Sequence, residues 1–239
     1  MPAERFIPSA RDAIEMPLDE LALGLLRYLG DGAQVNRHNL TNINAWTSHH
    51  DVGAYGNEFM CALAEAYDWL EHHGLVAVNP AGGGSEWGFI TRRGCRMLED
   101  PRGLATIRAE RRLDLALHSR IAQRVRRQFI LGEYELAVFA ALREVEVRVR
   151  DLSGAEDSDI GMKLMADAFK PGGPLHDAEM DKGEAEALMA LFRGAIGTFK
   201  NPTSHRPVEY DDPTLASEIV LFADLLLRML DRVQARLDR

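Results

Sequence analysis

The stretch Phe192-Arg193-Gly194-Ala195-Ile196-Gly197-Thr198-Phe199-Lys200-Asn201-Pro202-Thr203-Ser204-His205 decides how the second half of this chain is read. Its apolar and small residues predict a helix over 183–199. That helix stops at Asn201, because a residue before proline avoids the α region. Arg193, Gly197 and Lys200 are spaced i, i+4, i+7, which predicts one shared helix face. Gly194 and Gly197 each cost about 1 kcal/mol relative to alanine inside a helix. A close neighbour, either packed protein or ligand, is the usual reason to accept that cost. His205 follows Lys200 by five residues. A cation, an amide and an imidazole thus gather where a helix meets a loop, and such groups can hold a phosphodiester and move its protons. The same residues also make an ordinary helix end: lysine suits the negative end of the helix dipole, and Asn-Pro is a common stop.

Around this stretch the pattern is helical. Residues 132–152 place Tyr134, Ala137, Val138, Ala141, Val145 and Val149 on one side, and 160–169 form a shorter helix closed by Pro171-Gly172-Gly173-Pro174. The last helix, 213–237, opens with Asp212 as a capping side chain before Pro213. Its Leu215, Ile219, Phe222, Leu226, Met229 and Val233, widened by Leu225 and Leu230, form a stripe that must be covered by a bundle or by a second copy of the chain. Upstream, residues 101–130 hold eight arginines (Arg102, Arg108, Arg111, Arg112, Arg120, Arg124, Arg126, Arg127) against Glu110 and Asp114. They predict one long connecting helix over 101–127, followed by the bundle 128–239.

The N-terminal part reads differently. After a tail, 1–16, residues 17–100 form a small mixed domain. Leu18 to Leu29 is an amphipathic helix ended by Gly30 and Gly32, and Asn57 to His73 is a second, stopped at Gly74. Residues 75–78 and 87–90 read as two short strands around Ala81-Gly82-Gly83-Gly84-Ser85, and Thr91 caps a closing helix. This order resembles a winged helix. In that fold the helix before the wing enters a DNA groove, but residues 57–73 carry Glu58, Glu65, Asp68 and Glu71 and no lysine or arginine, which would repel phosphates. A protein-contact or autoinhibitory module fits better than sequence-specific DNA binding.

Bulk composition limits the remaining classes. The net charge of −9 argues against indiscriminate nucleic-acid binding. Cys61 and Cys95 lack CxxC spacing and read as two buried thiols of a reduced, cytoplasmic protein. Residues 1–16 lack a signal-peptide core, and no apolar run is long enough to span a bilayer. His49-His50-Asp51 and His72-His73 lack metal-ligand spacing, and Gly82-Gly83-Gly84-Ser85 is no phosphate loop. No metal or cofactor is expected. His118 and His176 have no evident partners.

Several blocks in order carry a family resemblance: Glu144-Val-Glu-Val-Arg-Val-Arg-Asp-Leu-Ser-Gly154, Gly161-Met-Lys-Leu-Met165 with Ala168-Phe169, Leu191-Phe-Arg-Gly-Ala-Ile-Gly197, and Phe199-Lys-Asn-Pro-Thr-Ser-His205. From about Arg127 onward the chain resembles the HEPN superfamily of helical ribonuclease and toxin domains, and within it the Ymh-like branch. The family motif is an arginine, usually followed by a polar residue, with a histidine a few residues on. Asn201 and His205 match it, and Lys200 stands in the arginine position. Lysine is a point charge where arginine offers a bidentate fork, so the site either neutralises a scissile phosphate less precisely or is attenuated or inactive, with Arg193 and Arg206 as candidate substitutes.

The resemblance implies a mainly α chain: a winged-helix-like α+β domain followed by a HEPN-like helical bundle. It implies metal-independent RNA cleavage by the 2′-hydroxyl, with His205 moving the proton, Lys200 stabilising the phosphorane and Asn201 orienting. It also implies that Glu146 and Arg150 form a polar pair facing the same cleft, although on spacing alone a plain surface ion pair, or the pair Glu144 and Arg148, fits as well. A homodimer through the C-terminal domain, with a toxin or antiphage-defence role, completes that reading. The rival is a non-catalytic DNA- or protein-binding regulator whose helical half only dimerises.

Overall fold

The computed structural model describes residues 5–7, 9–46, 52–82, 84–114, 117–201 and 210–239. The chain divides into two units, 1–104 and 105–239. It is mainly helical, and no helix among the described residues is long and apolar enough to cross a membrane.

In the first unit, α1 (Ala10–Glu15), α2 (Leu18–Gly30) and the short α3 (Arg37–Leu40) pack around α4 (Val52–His72). Phe59, Leu63, Ala66, Tyr67 and Leu70 recur at helical spacing on α4 and are buried. Trp46 is anchored in this core by an Nε1–H bond to the Leu40 carbonyl, 2.8 Å, and by edge contact with Phe59. Strands β1 (Val76–Val78) and β2 (Gly88–Ile90) pair antiparallel with Val76 opposite Ile90. The helix α5 (Arg92–Glu99) begins where the Thr91 hydroxyl accepts the Gly94 N–H.

The expected tail is in fact part of this unit. Ser9 caps α1, and Ile7, Ala10 and Ala13 are buried. Apolar residues at three-residue spacing give even a six-residue helix a face to bury. Gly24 makes room, since a Cβ there would lie 2.7 Å from the Phe6 carbonyl oxygen. The two thiols, expected buried, are exposed and free. Cys61 falls opposite the Phe59–Leu63–Tyr67 face of α4, so the apolar pattern turns it outward.

The second unit is built on α8 (Tyr134–Ser153). Ala137, Val138, Ala140, Ala141, Leu142, Val145 and Val149 bury most of its circumference. Around it pack α7 (Ser119–Ile130), α9 (Gly161–Phe169) and the long terminal helix α11 (Pro213–Leu237), while α10 (Lys182–Ala195) packs on α9. Asp212 caps α11 by accepting the Thr214 N–H, 2.9 Å, with Pro213 in the first turn. The buried arc of α11 is Ala216, Ile219, Val220, Ala223, Leu226, Leu227 and Leu230. Leu215 sits at the edge of that arc and Leu225 on its far side, and they are 44% and 52% exposed.

The Arg-rich stretch is two helices, α6 (Gly103–Leu113) and α7, in place of one. The break is tertiary in origin. The backbone N–H of His118 donates to the buried Asp224 carboxylate on α11, and its imidazole Nδ1 accepts the Arg120 N–H to cap α7. Its Nε2 lies 3.0 Å from Asp231. His118 is therefore well partnered, contrary to the reading from sequence. Both helices contribute to the core of this unit through Ala109, Leu113, Ile121, Val125 and Phe129, so the stretch is more than a connector.

Candidate polar cluster at the base of the Lys-Asn-Pro stop

The helix predicted over 183–199 changes character before it ends. Beyond Ala195 the chain continues as a π turn, Ile196–Lys200, closed by an Asn201 N–H bond to the Ile196 carbonyl. A π turn inserts a residue into the α pattern and shifts the faces that follow. Arg193 accordingly stays exposed, whereas the Lys200 side chain turns inward and is only 12% exposed. The face expected to join Arg193 to Lys200 is thus broken. Gly197 has the close neighbour its cost implied: a Cβ there would lie 2.6 Å from the Met162 sulfur of α9. Gly194 has open space beside it.

Lys200 points at Glu146 on α8. This carboxylate is 4% exposed and holds three groups. Its Oε2 accepts the Gly161 N–H at 2.7 Å and lies 3.4 Å from Lys200 Nζ, and its Oε1 lies 3.5 Å from the Arg150 guanidinium. A buried carboxylate is tolerated only when paired and hydrogen-bonded, and both conditions are met. The Gly161 bond also caps α9, whose own preceding residue, Ile160, has no side chain able to do so. Arg150 is locked further by donating Nε–H to the Asp159 carbonyl, 3.1 Å.

Gly161 has φ +67, a conformation that disfavours any side chain. The space above it is filled by the Asn201 amide, 3.7 Å from where a Cβ would stand. Phe139, two turns before Glu146 on α8, has its ring centroid 6.0 Å from Lys200 Nζ, within reach of a cation–π contact. On the far side of residues 202–209, the Tyr210 hydroxyl donates to the Phe199 carbonyl at 3.4 Å. Burial, and the nearby Glu135, push that hydroxyl above its ordinary pKa.

Of the residues singled out from sequence, Lys200, Asn201, Glu146 and Arg150 come together here. Arg193 does not. His205 and Arg206 lie outside the described residues, as do His49, His50 and Asp51. The competing pair on α8 is otherwise engaged: Glu144 reaches Arg120 at 3.9 Å, while Arg148 bonds Asp231 and Gln234. Sequence reasoning missed Gly161 and Phe139. The signal for Gly161 was its place directly before an apolar periodic run with no capping side chain ahead of it. Phe139 carried the helical spacing to Glu146 but lay off the apolar side of 132–152.

Chemically, the cluster is a cation and an amide at a helix end, the cation held by a buried carboxylate that is itself fixed by a helix N-terminus. Residues 115–230 match a family model described as a protein of unknown function (Hypoth_ymh), just under half the chain and nearly all of the second unit. The match is consistent with a Ymh-like C-terminal region. Comparison with curated proteins and with solved structures finds no match.

Proposed function

We propose that the second unit is an endoribonuclease of HEPN type, acting as a toxin or antiphage-defence effector, and that the first unit is a winged-helix-like module for sensing or partner binding. The observation that carries this reading is the pairing of Lys200 and Arg150 with the buried Glu146, beside Asn201, whose amide lies over Gly161, with His205 four residues beyond Asn201 in sequence.

In this reading the RNA 2′-hydroxyl attacks its own phosphorus. The O2′–P bond forms, the P–O5′ bond breaks, and the products are a 2′,3′-cyclic phosphate and a 5′-hydroxyl. His205 takes part in moving the proton from O2′ to the departing O5′, with a reference pKa near 6.5 suited to the task. Lys200 faces the charge that builds on the phosphorane oxygens, and Asn201 orients. Glu146 is a positioning residue: it holds Lys200 and Arg150 and does not touch substrate. Two copies of the motif, brought together in a homodimer, would line one cleft.

One observation favours the rival, a non-catalytic DNA- or protein-binding regulator. The Lys200 ammonium already neutralises a buried carboxylate, which is a sufficient structural reason for a cation there. Incubating the purified chain with labelled RNA in EDTA separates the two, with His205→Ala and Lys200→Ala as controls.

A further inference from the structure

Leu136, Phe139, Arg143, Glu146 and Arg150 follow one another on α8 at i, i+3, i+7, i+10 and i+14, and so share one side of that helix. Its Glu146 end belongs to the cluster already described. The other end has no assigned role, and its composition is unusual for a central helix. Phe139 is partly exposed and stands outside the hydrophobic core formed by the described residues. Leu136, one turn earlier, is 48% exposed. Arg143, one turn later, is exposed and makes no ion pair among the described residues.

A large aromatic left outside the core, beside Lys200 on one hand and an uncommitted arginine on the other, matches the chemistry of an unpaired nucleotide. A nucleobase stacks on an aromatic face while cations meet the flanking phosphates. Arginine suits the second task because its planar fork pairs with phosphate oxygens two at a time. The aliphatic Leu136 extends the apolar floor on which a ring can lie.

We infer that Phe139 is a base-stacking platform and Arg143 its phosphate clamp, so that α8 binds a nucleotide of single-stranded RNA next to Lys200. The inference rests on the ribonuclease reading for its choice of RNA, and it adds a requirement: the bound nucleotide must be unpaired, since a base inside a duplex has no free face to offer Phe139.

The test uses the full chain and a 2′-O-methylated single-stranded oligoribonucleotide carrying 2-aminopurine, which cannot be cut by 2′-hydroxyl attack, alongside a cleavable RNA of the same sequence. The wild type should bind the single strand and quench the 2-aminopurine, and bind the corresponding duplex less tightly. Phe139→Leu, which keeps apolar volume but removes the π face, should abolish the quenching and raise Kd roughly five- to hundredfold. Phe139→Trp should keep both. Arg143→Ala should weaken binding and flatten its salt dependence. Binding and quenching within twofold of wild type in Phe139→Leu overturn the platform even if the cleavable RNA is cut, and leave the ribonuclease reading standing. Quenching that depends on Phe139 without any cleavage supports the platform and sinks the ribonuclease. A wild type that binds no RNA overturns both.

Discussion

Lys200 Nζ and the Glu146 carboxylate meet at 3.4 Å across 54 residues of sequence, and both side chains are nearly buried. This contact ties the end of the π turn to the central helix of the second unit. Removing Glu146 withdraws a buried counter-charge from both Lys200 and Arg150.

Glu146→Gln keeps an oxygen for the Gly161 N–H but withdraws the counter-charge of Lys200 and Arg150. Breaking a buried pair costs about 3–5 kcal/mol, so the urea midpoint should fall markedly. A double-mutant cycle with Lys200→Met should return a coupling of about 1–3 kcal/mol. A coupling near zero would mean that the contact carries no energy.

Three glycines near this cluster should respond to alanine in opposite directions. At Gly161, with φ +67, the left-handed backbone makes alanine cost about 1–2 kcal/mol. Its Cβ meets only ordinary contact with Asn201, so the loss is conformational. At Gly194, where nothing lies within 4 Å, alanine should stabilise by about 0.5–1 kcal/mol. Gly197→Ala must displace the end of the Met162 side chain and should fall between them. Thermal denaturation of the three variants checks the order.

How much of this was legible in the sequence depended on how local the cause was. Thr91, Asp212 and Gly74 announced their helix ends because caps and left-handed glycines act within one turn. The strand pair came within one residue for the same reason. The break in the Arg-rich stretch was hidden because its cause, the His118 N–H bond to Asp224, comes from more than a hundred residues away. The spacing of Glu146 and Arg150 could not show that the pair is buried, because that burial depends on Lys200 and Gly161 approaching from other elements. The π turn left no trace beyond Gly197 within it and Gly194 just before it.

Acid should weaken a contact at the other end of the second unit. The Glu179 N–H, followed by the Arg236 guanidinium, holds the Asp177 carboxyl below its ordinary pKa. A depressed carboxylate contributes stability that is fully present above its unfolded value, about 3.9, and is lost as pH falls through the lower folded value. Wild type should therefore exceed Asp177→Asn in stability at neutral pH and converge with it in strong acid. Guanidinium melts at pH 7 and pH 2.5 measure this. A gap that widens in acid has the wrong sign.

The exposed thiols give a quick check on the first unit. Cys61 and Cys95 should both react with a thiol reagent under native conditions, at rates close to those in denaturant. If only one equivalent reacts before unfolding, one of the two helices faces the other way.

The central claim is that the segment from Lys200 to His205 cuts RNA. End-labelled RNA incubated with the full chain in EDTA tests it most directly. The account predicts fragments ending in 2′,3′-cyclic phosphate, abolished in His205→Ala, strongly reduced in Lys200→Ala and retained or increased in Lys200→Arg. Cleavage that persists in both alanine variants, or that disappears in EDTA with the wild type, contradicts it.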